Sequence, residues 1–386
     1  MRKKPKLIKV VTNGNAYQWH IASTIDKLSE KYEIIIIGNG VSKYKETDKS
    51  VTFIDILIER KPSPLRDLYT LFVLIFLFLR IKPDVIHSLM PKSGLLSSIS
   101  GFITRVPIRI HTFTGQVWAN KKGFSRFMLK TFDKLICYLN TICLTDSNSQ
   151  SKFLFDQGIS DNNKLIPILN KGSVCGVNIS KINTSIDADN ILSIKKKYSI
   201  AENDFVFSFI ARKTREKGAI DVLEAFNTVC EMNSSRSLKL FYIGPYEDDI
   251  KKEVVQLISS NHIIDLGLTN NIYDYLALTD VLCLPSYREG FGNIIIDAGA
   301  LRVPSLGYNI AGLSDSIKNN KTGIVSEKGN IKHFVANMNR LLQDEALVSK
   351  LGNNAFEHVK DNFDSDVLSE AYDEFYNQLI NSSMQS

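Results

Sequence analysis

Two carboxylates and two glycines share the short stretch Tyr287–Asp297 (YREGFGNIIID): Glu289, Gly290, Gly292 and Asp297. It follows Val281–Pro285 (VLCLP), an apolar run of strand length, and opens a predicted helix that reaches Ala300. In a loop entering a helix the first backbone N–H groups lack intrahelical partners, and the dipole there favours anions. Glycine lets the backbone approach a ligand closely. Asp297, one to two turns further in, is placed to reach hydroxyls beside a bound anion. The combination suits a sugar nucleotide, with phosphates on the amides and hydroxyls on the acids. It equally describes an ordinary Gly-rich strand-to-helix turn with a solvated Glu, and spacing alone leaves both open.

The opposite charge comes from Ala211–Gly218 (ARKTREKG), which follows a predicted strand at Phe205–Ala211. Arg212 and Lys217, with a turn between them, could clamp a diphosphate, the guanidinium as a fork and the ammonium as a point charge. With Lys213 and Arg215 alongside, the same loop also reads as a solvated basic turn. Convergence favours function: in an open α/β sheet ligands sit outside the carboxyl ends of the strands, and all four charged groups follow strands of one predicted sheet. Each charged hydrogen bond to a phosphate contributes roughly 1.5–3 kcal/mol. Such a cluster supports electrostatic stabilisation of a departing diphosphate. No Asp-rich pair of the kind that holds a metal against a diphosphate is evident, so neither a metal nor a cofactor is expected. In the first half, His111 lies near the end of the predicted strand Arg109–Phe113, and Gly14 lies in the turn Asn13-Gly14-Asn15 after the first strand. Gly14 is a candidate substrate contact. His111 reads either as a ligand contact or as a satisfied structural residue.

The elements that would position these groups alternate strand and helix. Leu7–Thr12, Tyr32–Ile37, Asp84–Ser88, Arg109–Phe113, Ile142–Asp146 and Lys164–Ile168 read as strands, and Trp19–Leu28 and Lys92–Thr104 as helices. A polar stretch at Val177–Asp189 marks a boundary, after which the same grammar restarts at Phe205 and continues through Leu238–Gly244, Ile263–Leu266, Val281–Pro285 and Val303–Leu306. Ile331–Leu342, with Asn330 as N-cap, and Asp344–Val359 read as amphipathic helices. The expected organisation is α/β: a Rossmann-like domain over 1–180, a second over 181–364, and a closing helix within 365–386 that packs back toward the first, with the two domains facing each other across a cleft. The first turn lacks the three spaced glycines of a dinucleotide fingerprint.

Length and composition fit this plan. A chain of 386 residues with 44% hydrophobic and 23% charged residues is expected to form two soluble globular domains. The five cysteines are odd in number and lack metal-ligand spacing, which argues for thiols in a reducing cytoplasm. No signal peptide is read at the N-terminus. Of 47 Lys+Arg and 41 Asp+Glu, residues 1–180 hold 26 and 13, so the first half is strongly basic and the second acidic. Such asymmetry points the first half at an anionic partner. Nucleic acid is disfavoured because aromatics are not interleaved with the basic residues. An anionic membrane surface remains: Lys121, Lys122, Arg126 and Lys130 decorate one helical stretch, and the run Leu71–Leu79 (LFVLIFLFL) is too short to cross a bilayer, which needs about 20 residues. That run reads as a core helix or as a helix partly embedded in the lipid interface.

These motifs resemble the retaining GT-B glycosyltransferases of the large family that includes bacterial lipopolysaccharide, capsule and mannosyl transferases. The resemblance covers nearly the whole chain and is strongest over Phe205–Val325. It rests on ARKTREKG at Ala211–Gly218, on the Glu-x7-Glu motif with Asp297 in the second place, and on KTGIV at Lys321–Val325. HTFTGQVW at His111–Trp118 and KGSVCGVN at Lys171–Asn178 are similar to members that build sugars on polyprenyl-diphosphate carriers. The resemblance implies that Arg212 and Lys217 bind the donor diphosphate, Glu289 the donor sugar and Asp297 the ribose hydroxyls. It places His111 near the sugar's outer hydroxyls, and the amides of Asn293 and Ile294 on phosphate or sugar. Two departures stand out: Asp297 is one methylene shorter than the usual Glu, and Arg302 replaces a Gly in an Ala-x-Gly-x-Pro turn. A nucleotide-sugar donor (UDP-hexose or UDP-N-acetylhexosamine), a lipid-linked glycan acceptor and a peripheral position at the inner face of the membrane are expected. A sugar-nucleotide epimerase on the same fold, or a non-catalytic nucleotide-sugar-binding scaffold, are the alternatives.

Overall fold

The computed structural model describes residues 4–160, 165–167 (backbone only), 176–247, 250–258, 261–269 and 271–385. The chain forms two compact units, one of residues 1–176 with 365–386 and the other of residues 177–364.

The first unit is built on an all-parallel seven-stranded sheet: β1 (Lys6–Asn13), β2 (Glu33–Asn39), β3 (Thr52–Asp55), β4 (Val85–Leu89), β5 (Ile108–Phe113), β6 (Ile142–Thr145) and β7 (Leu165–Pro167), in the spatial order β3-β2-β1-β4-β5-β6-β7. The Ile-rich run Ile34–Ile37 is buried throughout because parallel strands are covered on both faces. On one face, helices Ala22–Lys31 and Ser365–Gln385 set Leu28, Tyr372, Tyr376 and Ile380 against Ile34, Ile36 and Ile110. The last helix is keyed in by buried polar contacts as well: His87 lies between the Tyr376 hydroxyl and Thr112 Oγ1, each at 2.6 Å. On the other face, helix Pro64–Ile81 buries Leu74 and Phe78 over Ile8, Val10, Ile35 and Ile37, and helix Gly123–Leu139 buries Ile136 and Cys137 against Phe113 and Cys143. Helix Pro91–Ile103 crosses between them, with Leu96 buried beside Ile86.

The second unit repeats the plan with six parallel strands: β8 (Phe205–Ile210), β9 (Leu238–Ile243), β10 (Ile263–Leu266), β11 (Val281–Leu284), β12 (Ser305–Tyr308) and β13 (Gly323–Ser326), ordered β10-β9-β8-β11-β12-β13. Helices Ala219–Met232 and Ile331–Gln343 close its main core through Phe226, Phe334 and Met338. Asn330 Oδ1 accepts from His333 N at 3.0 Å and Asp344 Oδ1 from Leu347 N at 2.8 Å, so helices Ile331–Gln343 and Glu345–Phe363 start on side-chain caps.

Local differences from the sequence reading have local causes. The single helix expected over Trp19–Leu28 is two helices, Asn15–His20 and Ala22–Lys31, parted at Ile21 with φ −132° and ψ −43°. β12 begins at Ser305 because Val303 and Pro304 form the turn before it, where Val303 N bonds Ala298 O. Arg302, in that turn, adopts φ +62°. Its guanidinium bonds Asn353 Oδ1 at 2.7 Å and stacks over Phe356 at 4.1 Å. The Leu71–Leu79 run lies within an 18-residue helix that buries one stripe only; Phe72, Phe76 and Leu79 are exposed. The core-helix reading therefore holds for half of its surface. No helix among the described residues is long and apolar enough to cross a membrane.

Candidate active site

In the second sheet the strand order reverses between β8 and β11, and the segments leaving these two strands meet outside their carboxyl ends. Gly218 makes the meeting possible. It has φ +71°, and a Cβ there would stand 2.0 Å from the Pro285 carbonyl oxygen. Tyr287 N then donates to Glu216 O at 2.8 Å, and Thr214 Oγ1 accepts from Lys217 N at 3.2 Å, which closes the turn that presents Lys217.

Across this contact Lys217 Nζ donates to Glu289 Oε1 at 2.5 Å, with only 14% and 12% of the two side chains exposed. Ser286 Oγ donates to the same carboxylate oxygen at 3.0 Å. The loop is anchored from behind. The hydroxyls of Tyr287 and Tyr308 both donate to Asp221 Oδ2, at 2.7 and 2.6 Å, and Arg288 pairs with Glu216 at 2.6 Å. Gly312, at φ +91°, lets its segment press on this loop, since a Cβ would lie 2.5 Å from Gly290 O. The pair is thus a mostly buried cation and anion on two rigidly held turns.

The other expected residues take separate partners. Arg212 Nη1 donates to Glu247 Oε2 at 2.6 Å, each side chain about one-third exposed. Its neighbour Lys213 is not part of a solvated basic turn. It is fully buried, paired with Asp265, donating to Leu266 O at 2.6 Å and stacked 4.7 Å from the rings of Tyr242 and Tyr246. Burial pulls its ammonium below the usual lysine range, against the upward pull of Asp265. Asp297 keeps part of its side chain exposed and accepts from the Tyr273 hydroxyl at 3.4 Å; burial pushes its carboxyl up to about 7. Asn293 and Ile294 begin helix Asn293–Ala300, whose N-cap Gly292 sits at φ +85° and offers no side-chain cap.

His111 and Gly14 lie in the first unit. His111 is buried with Nδ1 3.0 Å from Ser88 Oγ and its ring edge-on to Phe113 at 4.6 Å. Burial pulls it down to about 3, so it is neutral across physiological pH. Gly94 is required beside it, because a Cβ there would lie 2.3 Å from the imidazole. Gly14 N donates to Asn39 O at 2.7 Å, and a Cβ at Gly14 would stand 2.2 Å from Gly40 O. Of Lys171–Asn178, residues 171–175 lie outside the described residues.

The structure therefore brings Lys217 and Glu289 into contact and ties Arg212 to Glu247 and Asp297 to Tyr273. Ser286, Asp221 and the buried Lys213–Asp265 pair were not singled out from sequence. Ser286 stands three residues before Glu289 in the same turn, a proximity visible in the sequence. The other partners are joined by pairing of non-adjacent segments.

Residues 190–358 match the family model described as glycosyl transferases group 1, and residues 9–141 match glycosyl transferase 4-like. The second unit thus resembles the group 1 glycosyltransferases, and the first resembles the glycosyl transferase 4-like model. The chain is 27% identical over 385 residues, 99% of each chain, to the capsular polysaccharide biosynthesis glycosyltransferase CapM of Staphylococcus aureus. It is 25% identical over 328 residues, 83% of this chain and 82% of the relative, to the UDP-Gal:alpha-D-GlcNAc-diphosphoundecaprenol alpha-1,3-galactosyltransferase of Escherichia coli. Among solved structures, Anabaena HepE in complex with UDP and glucose superposes with a TM-score of 0.79 at 15% identity, covering 97% of this chain and 100% of that one. The architecture is GT-B, with two Rossmann-like domains.

Proposed function

We propose that the enzyme is a retaining glycosyltransferase that moves a hexose or N-acetylhexosamine from a UDP-sugar to a polyprenyl-diphosphate-linked sugar in bacterial surface polysaccharide synthesis, working at the inner face of the membrane. The observation that carries the reading is the Lys217–Glu289 pair at the switch point of the second sheet. An entering donor diphosphate competes with Glu289 for Lys217 and with Glu247 for Arg212. Exchange leaves both cations on phosphate and frees the Glu289 carboxylate for the donor sugar's hydroxyls, while Ser286 holds its position. Asp297 takes the ribose hydroxyls, and the amides of Asn293 and Ile294 face phosphate or sugar.

In the reaction the bond from the sugar's anomeric carbon to the β-phosphate oxygen breaks. The acceptor hydroxyl oxygen bonds to that carbon from the same face, and its proton passes to the departing diphosphate. Arg212 and Lys217 neutralise the charge that accumulates there, which is where preorganised cations lower a barrier most. A metal is given no part in this scheme. Support for the donor and acceptor classes comes from relatives: HepE was crystallised with UDP and glucose, and the E. coli relative is named for UDP-Gal and a diphosphoundecaprenol-linked GlcNAc.

The double variant Arg212→Ala/Lys217→Ala tests the clamp. Transfer from a UDP-sugar should fall at least about 100-fold, the scale for losing one such charge stabiliser; near wild-type transfer would remove it. Turnover of the donor without any acceptor, giving an isomerised sugar nucleotide, would favour an epimerase instead.

A further inference from the structure

Three neighbouring helices of the first unit, Pro64–Ile81, Pro91–Ile103 and Gly123–Leu139, cover one face of its sheet, and their outward side is apolar. On the first, Leu65, Leu68, Tyr69, Phe72, Phe76 and Leu79 are exposed, Leu65 at 84%. On the third, Phe124, Phe127, Met128, Phe132, Leu135 and Tyr138 are exposed, Phe124 at 77%. At 100° per residue both sets lie directly opposite the buried residues of their own helix, Leu74 and Phe78 in one and Ile136 and Cys137 in the other. The side chains therefore point away from the core, along a stripe about 21 Å long at 1.5 Å per residue. Phe102 and Ile103 extend it at the end of the middle helix.

Charge distinguishes the partner this face fits. Residues 60–138 hold 13 Lys+Arg against three Asp. Each Asp is engaged inward: Asp67 on Lys92 at 2.6 Å, Asp84 on the backbone N of Lys6 at 2.7 Å, and Asp133 on Trp118 Nε1 at 2.7 Å. Some of the cations are engaged too. Arg66 pairs with Glu59, and Arg126 and Lys130 stack on Trp118, so these do not form a free patch. Arg80, Lys82, Arg105, Lys121, Lys122 and Lys134 stay exposed around the apolar stripes with no acidic partner among the described residues.

We propose that this three-helix face inserts its aromatic and aliphatic side chains into the interface of an anionic bilayer, with those six basic residues on the headgroups. An apolar stripe rimmed by cations and free of exposed acids complements an anionic interface. The inference extends the proposed lipid-linked acceptor by naming the surface that would hold the enzyme beside it.

Full-length protein sedimented with vesicles of 30% phosphatidylglycerol in phosphatidylcholine, at 0.1 and 0.5 M NaCl, provides the test. Phe72→Ser/Phe76→Ser/Phe124→Ser/Phe127→Ser should weaken partitioning at least about tenfold at both salts, as expected for side chains that transfer apolar area. Lys121→Gln/Lys122→Gln/Lys134→Gln should weaken it at 0.1 M and little at 0.5 M, where screening has already removed the contribution. Wild type that stays in the supernatant, or binding unaffected by the Phe substitutions, would overturn the proposal. So would light scattering that shows a wild-type dimer and a monomeric Phe variant, which would assign the face to a second copy. Transfer to a short-chain, water-soluble diphosphate-linked acceptor is read in parallel. If the Phe variant keeps that activity while losing vesicles, the surface is supported. If wild type binds vesicles but lacks the activity, the acceptor reading fails and the surface stands.

Discussion

Replacing Asp297 with Asn should stabilise the protein at pH 8 and not at pH 4. Burial raises this carboxyl from 3.8 to about 7 in the folded protein. A carboxyl raised on folding is protonated more readily in the native than in the unfolded state. It therefore costs nothing below the unfolded value, costs progressively more between about 4 and 7, and reaches a plateau above 7. Each pH unit between the two values corresponds to about 1.36 kcal/mol, which gives a ceiling of about 4 kcal/mol. Partial exposure of the side chain reduces this to about 2 kcal/mol. For a unit of this size that is roughly 4–8 °C. Thermal melts of both proteins from pH 4 to pH 8 should give an Asn-minus-Asp difference near zero at the acid end that grows to that plateau. A UDP-sugar whose ribose hydroxyls donate to Asp297 favours its ionised form, so saturating donor should shrink the gap at pH 8. A difference that is flat with pH, or an Asn variant less stable at pH 8 than at pH 4 relative to wild type, would refute the reasoning.

Other substitutions probe the supports of the site. Gly218→Ala forces a Cβ to within 2.0 Å of Pro285 O at a left-handed φ; denaturant unfolding should show a loss of about 3 kcal/mol or more, and a variant as stable as wild type would mean the two turns are not packed together. At Arg302 the left-handed φ costs about 1–2 kcal/mol for a non-Gly residue, offset by the contacts to Asn353 and Phe356. Arg302→Ala and Arg302→Gly both lose these contacts, but only Ala keeps the strain, so it should melt lower than Gly; the reverse order would show that the left-handed φ costs nothing here.

Much of the architecture was legible because parallel strands buried on both faces read as uninterrupted apolar runs, as in Ile34–Ile37 and Val281–Leu284. β3 and β13 lack such a run, because Thr52 and Asp55 in one and Gly323 and Ser326 in the other interrupt the apolar pattern. The Lys217–Glu289 contact was approachable because both residues follow strands that flank the switch point. The pairing of Arg212 with Glu247 was not, since it depends on the turn after β9. Lys213 was misleading for a related reason: amid other basic residues it reads as solvated, yet Tyr242 and Asp265 from adjacent strands enclose it. The run Leu71–Leu79 shows a further limit. An all-round apolar helix signals burial without saying whether protein or lipid does the burying.

The most direct test of the site is the affinity for UDP compared with uridine, by calorimetry, in wild type and Lys217→Ala. If Lys217 leaves Glu289 to hold the donor diphosphate, wild type should prefer UDP by at least about tenfold, equivalent to about 1.4 kcal/mol, and Lys217→Ala should erase most of that preference while leaving uridine binding unchanged. Equal discrimination by the two proteins would contradict the account.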